Sequence, residues 1–497
     1  MKYIVALDQG TTSSRAVVFD ERARLVVSHA IEFPQIYPKP GWVEHRPQDI
    51  LDSQLGALKL AVEKSGVDVA DIAAIGITNQ RETTLLWERE TGRPLCNAIV
   101  WQCRRTAPLV ERLKRDGLGN MIRDRTGLIP DAYFAGTKLQ WMLDAIPGSR
   151  ERALDGELCF GTVDSFLVWN LTGGRAHVTD ATNAARTMLY NIYEQRWDEK
   201  LLQAMNIPAE LLPEVVDSSQ VVGYLDKRIL GREIPIAALA GDQHAALFGQ
   251  GCFAPGMCKN TYGTGCFVLM NTGKVPVKSQ NDLITTIGWR VDGQPRYALE
   301  GSVFVGGAVV QWLRDEMKLV TKASETEAVA MEVPDNGNVY FVPAFTGLGA
   351  PHWDMYSRGT IVGLTRGTGR AHIVRAALEA IAYQSADVIS AMAADSSMKS
   401  GVLRVDGGAS ANNFLMQFQA DILGVHVLRP KVIETTAMGA AMLAGRAVGL
   451  WTDAQLGELQ EPDREFAPNM DDATRARLLS QWQRAIERSR GWETDEN

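Results

Sequence analysis

The sequence is poor in cysteine, with 6 in 497 residues and none in a C-x-x-C pair. That spacing excludes the common structural zinc modules. So sparse a use in a long chain points to a reducing compartment and away from a disulfide-stapled fold. Long apolar runs are also missing. The N-terminal run Tyr3–Leu7 stops at Asp8, too early for the core of a signal peptide. The most apolar helical tract, Ala437 to Trp451, is interrupted by Arg446 and falls short of the ~18 uninterrupted residues of a membrane span. There is no basic excess: 51 Lys and Arg against 59 Asp and Glu leave a net charge of −8. That balance argues against general nucleic-acid or anionic-membrane binding. No G-x-x-x-x-G-K-[ST] motif occurs, so any phosphate site is not a P-loop. Strong tandem repeats and low-complexity linkers are absent as well. These absences leave a cytoplasmic, soluble, multidomain protein without an integral membrane segment as the expectation.

What is present is ordinary in bulk and specific in arrangement. At 45% apolar and 22% charged, the chain can bury a large core, and its length predicts two or three domains. Its 45 glycines cluster where short β-type runs end: Gly10, Gly241, Gly263 with Gly265, Gly306-Gly307 and Gly407-Gly408. An α/β protein places ligand-binding turns at such strand ends. Strands are predicted over Tyr3–Leu7, Ala16–Phe19, Ile72–Ile77, Leu85–Trp87, Ile234–Leu239, Phe267–Met270, Val339–Val342 and Leu403–Val405. Helical spacing predicts helices over Asp49–Lys64, His372–Ala394 and Phe414–Leu423, the last capped by Gly424. One weak internal echo stands out. Asp8 to Val18 and Asn260 to Leu269 both read as a strand, a Gly/hydroxyl turn and a returning strand. The echo suggests two duplicated α/β halves, 1–250 and 251–497, packed around a shared cleft. A polar, frayed tail is expected from about Gly491.

Three segments could carry chemistry. Asp8 ends an apolar strand and precedes Gly10-Thr11-Thr12-Ser13-Ser14, where backbone N–H groups and hydroxyls could meet phosphate oxygens. A strand-end carboxylate there could hold Mg²⁺; an ordinary hairpin with an Asx-type turn is the alternative. Ile236 to Ala246 repeats the pattern with Gly241-Asp242, and Asp242 is either a helix cap or, across a cleft from Asp8, a general base or metal ligand. His244 beside it reads as a packing residue. Leu403 to Phe414 is a strand, the turn Gly407-Gly408 and a helix start, which suits close approach of a nucleotide or a tight βα-turn capped by Ser or Asn. A fourth segment, Thr78-Asn79-Gln80-Arg81-Glu82-Thr83, sets a donor fork beside an acceptor, which is what vicinal hydroxyls need.

Together the three turns resemble the nucleotide-binding segments of the actin/Hsp70/hexokinase-type ATPases. The Arg81-Glu82 segment, Tyr37 to His45, Ala98 to Arg105, Asn260 to Cys266 and Phe341 to Pro351 resemble the glycerol kinases of the FGGY carbohydrate kinase family over essentially the whole chain. Tyr133 to Met142 and Gly359 to Leu364, continuing to Glu379, are similar to the two signatures of that wider family, although Ala145 departs from the polar residue usual at the end of the first. The resemblance implies two duplicated ribonuclease H-like (actin-like ATPase) domains around a central cleft. It implies ATP-dependent phosphorylation of glycerol to sn-glycerol 3-phosphate. By position, Arg81, Glu82, Tyr133, Asp242 and Gln243 would bind the glycerol hydroxyls, and Trp101 and Phe267 would wall its carbons. Thr11, Thr12, Ser13 and Arg15 would face the phosphates. Thr264, Gly307, Gln311, Gly408 and Asn412 would line the nucleotide site. Asp8 and Asp242 would lie nearest Mg²⁺, with Asp242 as general base. A homodimer or homotetramer is implied too. Leu225 to Glu233 lacks the Gly-rich loop of members controlled by a sugar bisphosphate, so the resemblance does not carry that control over. A pentulose kinase and a nucleotide-switch ATPase are the alternatives.

Overall fold

The computed structural model describes residues 1–493. Two sheets organise the chain. The first contains β1 (Tyr3–Gln9), β2 (Ser13–Asp20), β3 (Leu25–Glu32), β4 (Ile72–Asn79), β5 (Ser219–Tyr224) and β6 (Pro235–Gly241), in the order β5-β6-β4-β1-β2-β3. The second contains β7 (Cys258–Tyr262), β8 (Cys266–Gly273), β9 (Ile284–Val291), β10 (Gln294–Val303), β11 (Val402–Asp406), β12 (His426–Pro430) and β13 (Pro462–Phe466), in the order β9-β10-β8-β7-β11-β12-β13. The duplication suggested by the two Gly-Thr hairpins is a duplication of topology. In the first sheet β1–β2 and β2–β3 are antiparallel, β1–β4 and β4–β6 parallel, and β6–β5 antiparallel. In the second, β7–β8 and β8–β10 are antiparallel, β7–β11 and β11–β12 parallel, and β12–β13 antiparallel. Only β9 lacks a counterpart. The fold is thus the mixed α/β two-domain fold that the resemblance implied.

Local chemistry explains the elements. Central β1 is a near-continuous apolar run buried on both faces, whereas edge β3 alternates exposed with half-buried residues. Helix α1 (Pro47–Ser65) starts with proline at its first position and ends at Gly66, whose φ of 66° needs a residue without a Cβ penalty. Its buried stripe, with Ile50, Leu58 and Val62 among it, packs on β2 and β3. Helix α2 (Asp242–Gly249) follows β6 directly. Helix α3 (Arg370–Ser396) exceeds its predicted span by two residues at each end. Helix α4 (Asn413–Leu423) ends at Gly424 as expected, with φ 68°.

The halves are not separate bodies. Helix α5 (Thr435–Ala447) lies in the second half of the sequence but packs against β1, β4 and β6 of the first sheet and alongside α2. Small residues allow that approach. A Cβ on Gly439 would sit 1.8 Å from the Ala245 carbonyl oxygen, and one on Gly76 would sit 2.2 Å from that of Ala440. One apolar cluster accordingly draws Ala240, Ala245 and Leu247 together with Leu269, Ala298 and Ala440. This is why Ala437 to Trp451 is so apolar: most of it is a helix buried between the first sheet and α2. The expected frayed tail is tied down as far as Glu493. Gly491 N–H donates to Asp354 Oδ2 at 3.1 Å, and Glu493 N–H donates to the Tyr356 carbonyl at 3.0 Å. The remainder of that tail, 494–497, lies outside the described residues.

Candidate active site

Parallel β1, β4 and β6 end at one edge of the first sheet and deliver Asp8, the segment Gln80–Glu82 and Asp242 to the same place. This is where open α/β sheets bind ligands. Arg81 is buried at 3% exposure. Its Nε lies 3.1 Å from Asp242 Oδ1. Its Nη1 and Nη2 donate to Glu300 Oε2 and Oε1 at 2.6 and 2.9 Å, a fork-on-fork pair. Glu82 is also buried, with φ 59°, an unusual conformation for a glutamate. It accepts from Arg186 Nε at 2.5 Å. Arg186 also donates to both Glu300 oxygens, at 3.1 and 3.3 Å. Burial alone would raise the proton affinity of Glu300, but Arg186 and Arg81 together hold its carboxyl well below the usual range.

Asp242 opens α2 and is about one-third exposed, with a side-chain exposure of 32%. Its Oδ1 accepts from the Gln243 backbone N–H at 2.7 Å, and its Oδ2 from Gln243 Nε2 at 3.3 Å. The amide of Gln243 is set by Lys259, whose Nζ donates to Gln243 Oε1 at 2.5 Å and to Thr261 Oγ1 at 2.9 Å. Lys259 is fully buried, and burial lowers its proton affinity. His244, read from sequence as a partly buried packing residue, is fully buried, and neither ring nitrogen has a protein partner among the described residues. Burial and the Arg81 charge keep it neutral.

The aromatic wall is partly assembled from the first half. Trp101 and Tyr133 meet edge to face at 5.8 Å, and the Arg186 guanidinium lies 5.6 Å from the Tyr133 ring centroid. Phe267 comes from β8 in the second sheet and is half-buried. Cross-strand register puts Lys259, Leu269 and Glu300 in one row of the second sheet, and Thr261, Phe267 and Ser302 in another. The two rows are two residues apart, so all six share a face. Leu269 of that face belongs to the core that includes α2.

The phosphate-side residues sit around the first hairpin. Gly10 N–H donates to the Ser13 carbonyl at 2.9 Å, closing the turn. Thr11 Oγ1 accepts from Trp101 Nε1 at 2.9 Å, which ties the hairpin tip to the aromatic wall. Thr12 is exposed and Ser13 half-buried, and neither hydroxyl has a protein partner among the described residues. Arg15 faces Asp8 across the hairpin and pairs with Glu434 of the second half. Burial pushes the Asp8 carboxyl up to about 7; Arg15 opposes the rise, and Glu434 and Asp242 add to it. That surplus of negative charge fits a cation. No group of three or more His, Cys, Asp or Glu side chains capable of holding a metal occurs among the described residues. The two carboxylates Asp8 and Asp242 fit Mg²⁺, which keeps waters and phosphate oxygens in its shell.

On the nucleotide side, Thr264 is exposed at the second hairpin tip, and its carbonyl accepts from Gly306 N–H at 2.8 Å. Gly307 N–H donates to the Gly263 carbonyl at 2.8 Å, and exposed Gln311 follows one helical turn later. Gly408 faces open space, while Gly407 has φ 83° and leaves no room for a Cβ beside the Tyr262 backbone. Asn412 is engaged as the cap of α4: its Oδ1 accepts from Leu415 N–H at 2.9 Å, and its Nδ2 donates to Thr326 Oγ1 at 3.3 Å. Of the site's charged residues, Glu300, Arg186, Lys259 and Glu434 were not found by sequence reasoning. Glu300 left a trace, being a charge directly after the apolar stretch Tyr297–Leu299 of its strand.

Comparison with known proteins identifies the family. The N-terminal domain model of the FGGY family of carbohydrate kinases matches residues 3–249, and its C-terminal domain model matches residues 258–448. The chain is 60% identical over 494 residues to glycerol kinase 2 of Thermotoga maritima, covering 99% of this chain and 100% of the relative. The crystal structure of Plasmodium falciparum glycerol kinase with ADP superposes with a TM-score of 0.93 at 38% identity, covering 98% of each chain. A ligand-bound xylulose kinase from Lactobacillus acidophilus follows at 0.87 and 25% identity, covering 98% of this chain and 97% of that one. The chain belongs to the FGGY family of carbohydrate kinases.

Proposed function

We propose that this protein transfers the terminal phosphoryl group of ATP to glycerol, giving sn-glycerol 3-phosphate and ADP. The observation that carries the reading is full-length 60% identity to a glycerol kinase. The buried Arg81–Glu82 pair beside Asp242 gives that identity a physical site. Arg81, Glu82, Tyr133 and Gln243 satisfy the hydroxyls of a small polar substrate, and Trp101 and Phe267 cover its carbons. A pocket built on buried polar groups rejects molecules that leave those groups unpaired. Asp242 takes the proton from the attacking hydroxyl at Oδ2, the oxygen held, among the described residues, by the 3.3 Å contact to Gln243 alone. Arg15 and the Thr11–Ser13 hairpin supply positive charge and donors toward the phosphates, which phosphoryl transfer needs more than covalent help. Asp8 and Asp242 would hold Mg²⁺, whose chemistry when bound is to neutralise phosphate charge. Thr264, Gly307, Gln311 and Gly408 would line the nucleotide, with Asn412 contributing through the helix it caps.

In this reading residues 1–250 carry the glycerol and phosphate side and 251–497 the adenine side, with Phe267 reaching back over the substrate. Closure of the two halves would exclude water, the competing acceptor. The same reading makes the enzyme a cytoplasmic homodimer or homotetramer, which sedimentation of the purified protein tests; no helix of the described residues is long and apolar enough to cross a membrane. The deciding experiment is ADP release with glycerol, dihydroxyacetone, erythritol, xylulose and ribulose. Glycerol should give the highest kcat/KM. Faster turnover of a pentulose would replace the reading with the one that the xylulose-kinase neighbour suggests.

A further inference from the structure

Two arginine forks buried in one pocket are ready-made receptors for a carboxylate. In this pocket they are already taken. Both oxygens of Glu300 accept from both Arg81 and Arg186, at 2.6 to 3.3 Å, and Glu300 is fully buried. The remaining fork edge of Arg186 is held by Glu82 at 2.5 Å. Arg81, Arg186, Glu82 and Glu300 therefore form a quartet of zero net charge. The next charges out, Lys259 and Asp242, are one of each sign and are linked through Gln243. His244, packed against the quartet, adds none. Glu300, like Arg186, has no part in the substrate contacts assigned above. It reaches the pocket from β10 of the second sheet, in the row of Lys259 and Leu269.

We propose that Glu300 is a specificity-determining residue: by filling both arginine forks and bringing the quartet to neutrality, it reserves the pocket for an uncharged polyol and shuts out the corresponding hydroxy-acid anion, glycerate in place of glycerol. The inference rests on the glycerol reading. Without the Glu300 charge the quartet carries +1 in a desolvated site, where one uncompensated charge attracts a carboxylate strongly. Specificity then comes as much from what the pocket repels as from what it binds.

The test measures the ratio of dissociation constants, glycerate over glycerol, by calorimetry on the full-length protein. Inhibition of glycerol turnover by glycerate serves as the kinetic check. Turnover of glycerol by the unaltered enzyme tests the underlying reading separately. The unaltered enzyme should show a ratio of at least ~100. Glu300→Gln should lower it at least ~10-fold, and Glu300→Asp, which keeps the charge, should hold it within ~3-fold. The double variant Arg186→Met/Glu300→Gln is neutral again and should return to within ~3-fold of the unaltered value. If Glu300→Gln alone does not fold, the same step is read between Arg186→Met and the double variant, again as a fall of at least ~10-fold. A ratio near one in the unaltered enzyme, a ratio unmoved by either Glu300→Gln step, or an equal fall in Glu300→Asp would overturn the proposal.

Discussion

Asp242→Asn separates chemistry from architecture at this site. Asparagine keeps the Oδ1 that accepts from the Gln243 N–H at 2.7 Å and lies 3.1 Å from Arg81 Nε. It replaces Oδ2 by an NH₂ that faces the Gln243 amide nitrogen across 3.3 Å, and it removes the only assigned acceptor for the hydroxyl proton. The structural cost is small because the side chain is one-third exposed and water serves the displaced groups. Loss of a negative charge at the start of α2 costs about 0.3–1 kcal/mol. The weakened pair with Arg81 adds less than its distance suggests, since Arg81 keeps its fork on Glu300 and Asp242 is open to solvent. A total of about 1 kcal/mol would move the melting midpoint of a chain this long by only about 1–2 °C. The catalytic cost is of another order: removing a general base lowers the rate by about 10²–10⁴, or about 3–5 kcal/mol of barrier. ADP release at saturating glycerol and ATP reads the catalytic cost, and a thermal melt reads the structural one. A kcat within ~10-fold of the unaltered enzyme would refute the base assignment. A large loss of activity accompanied by a melting shift far beyond that range would refute the claim that Asp242 is dispensable to the fold.

Two further outcomes follow from the packing. His45 is fully buried, its Nε2 lies 2.7 Å from Gln35 Oε1, its Nδ1 lies 3.4 Å from Gln80 Nε2, and burial holds its pKa down to about 4. A second proton would set Nδ1–H against the Gln80 amide. Since unfolded histidine titrates near ~6.5, the unfolded state binds the extra proton first, and stability should be lost as pH falls from about 6.5 to about 4. Denaturant titrations should show His45→Gln losing about 2 kcal/mol less than the unaltered protein between pH 7 and pH 4.5; identical slopes would refute the burial argument. Gly439→Ala forces a Cβ to within 1.8 Å of the Ala245 carbonyl oxygen. It should cost about 1–3 kcal/mol by chemical denaturation and lower activity through the displacement of α2, which carries Asp242. Gly401→Ala, with nothing within 4 Å, is the control and should change neither.

Much of the framework was legible because local physics repeats along the chain. Apolar runs ended by Gly and a polar residue mark β1, β6 and β11, and the shared Gly-Thr hairpin exposed the duplication before its topology was in view. Asp8 and Asp242 could be singled out because a carboxylate at the end of an apolar strand is an unusual local event. Asn412 shows the limit of such reading: the helix-cap alternative describes its side chain in the structure, and position in a motif could not decide that.

The sequence by itself determined part of the secondary structure, β1, β2, β4, β6, β8 and β11 among it, together with the twofold repeat and the residues that could meet phosphate and hydroxyl groups, since these depend on propensity and short-range pattern. Only the tertiary structure decided how those residues are held. Glu300 lies 219 positions from Arg81, and Glu434 lies 419 from Arg15. Lys259 of the second sheet fixes the amide of Gln243, 16 residues away on α2. A buried charge is tolerable only when a partner of opposite sign is brought to it, and that pairing is set by which strands lie side by side in space. For the same reason α5, read from sequence as merely an apolar tract, became the helix that joins the two halves.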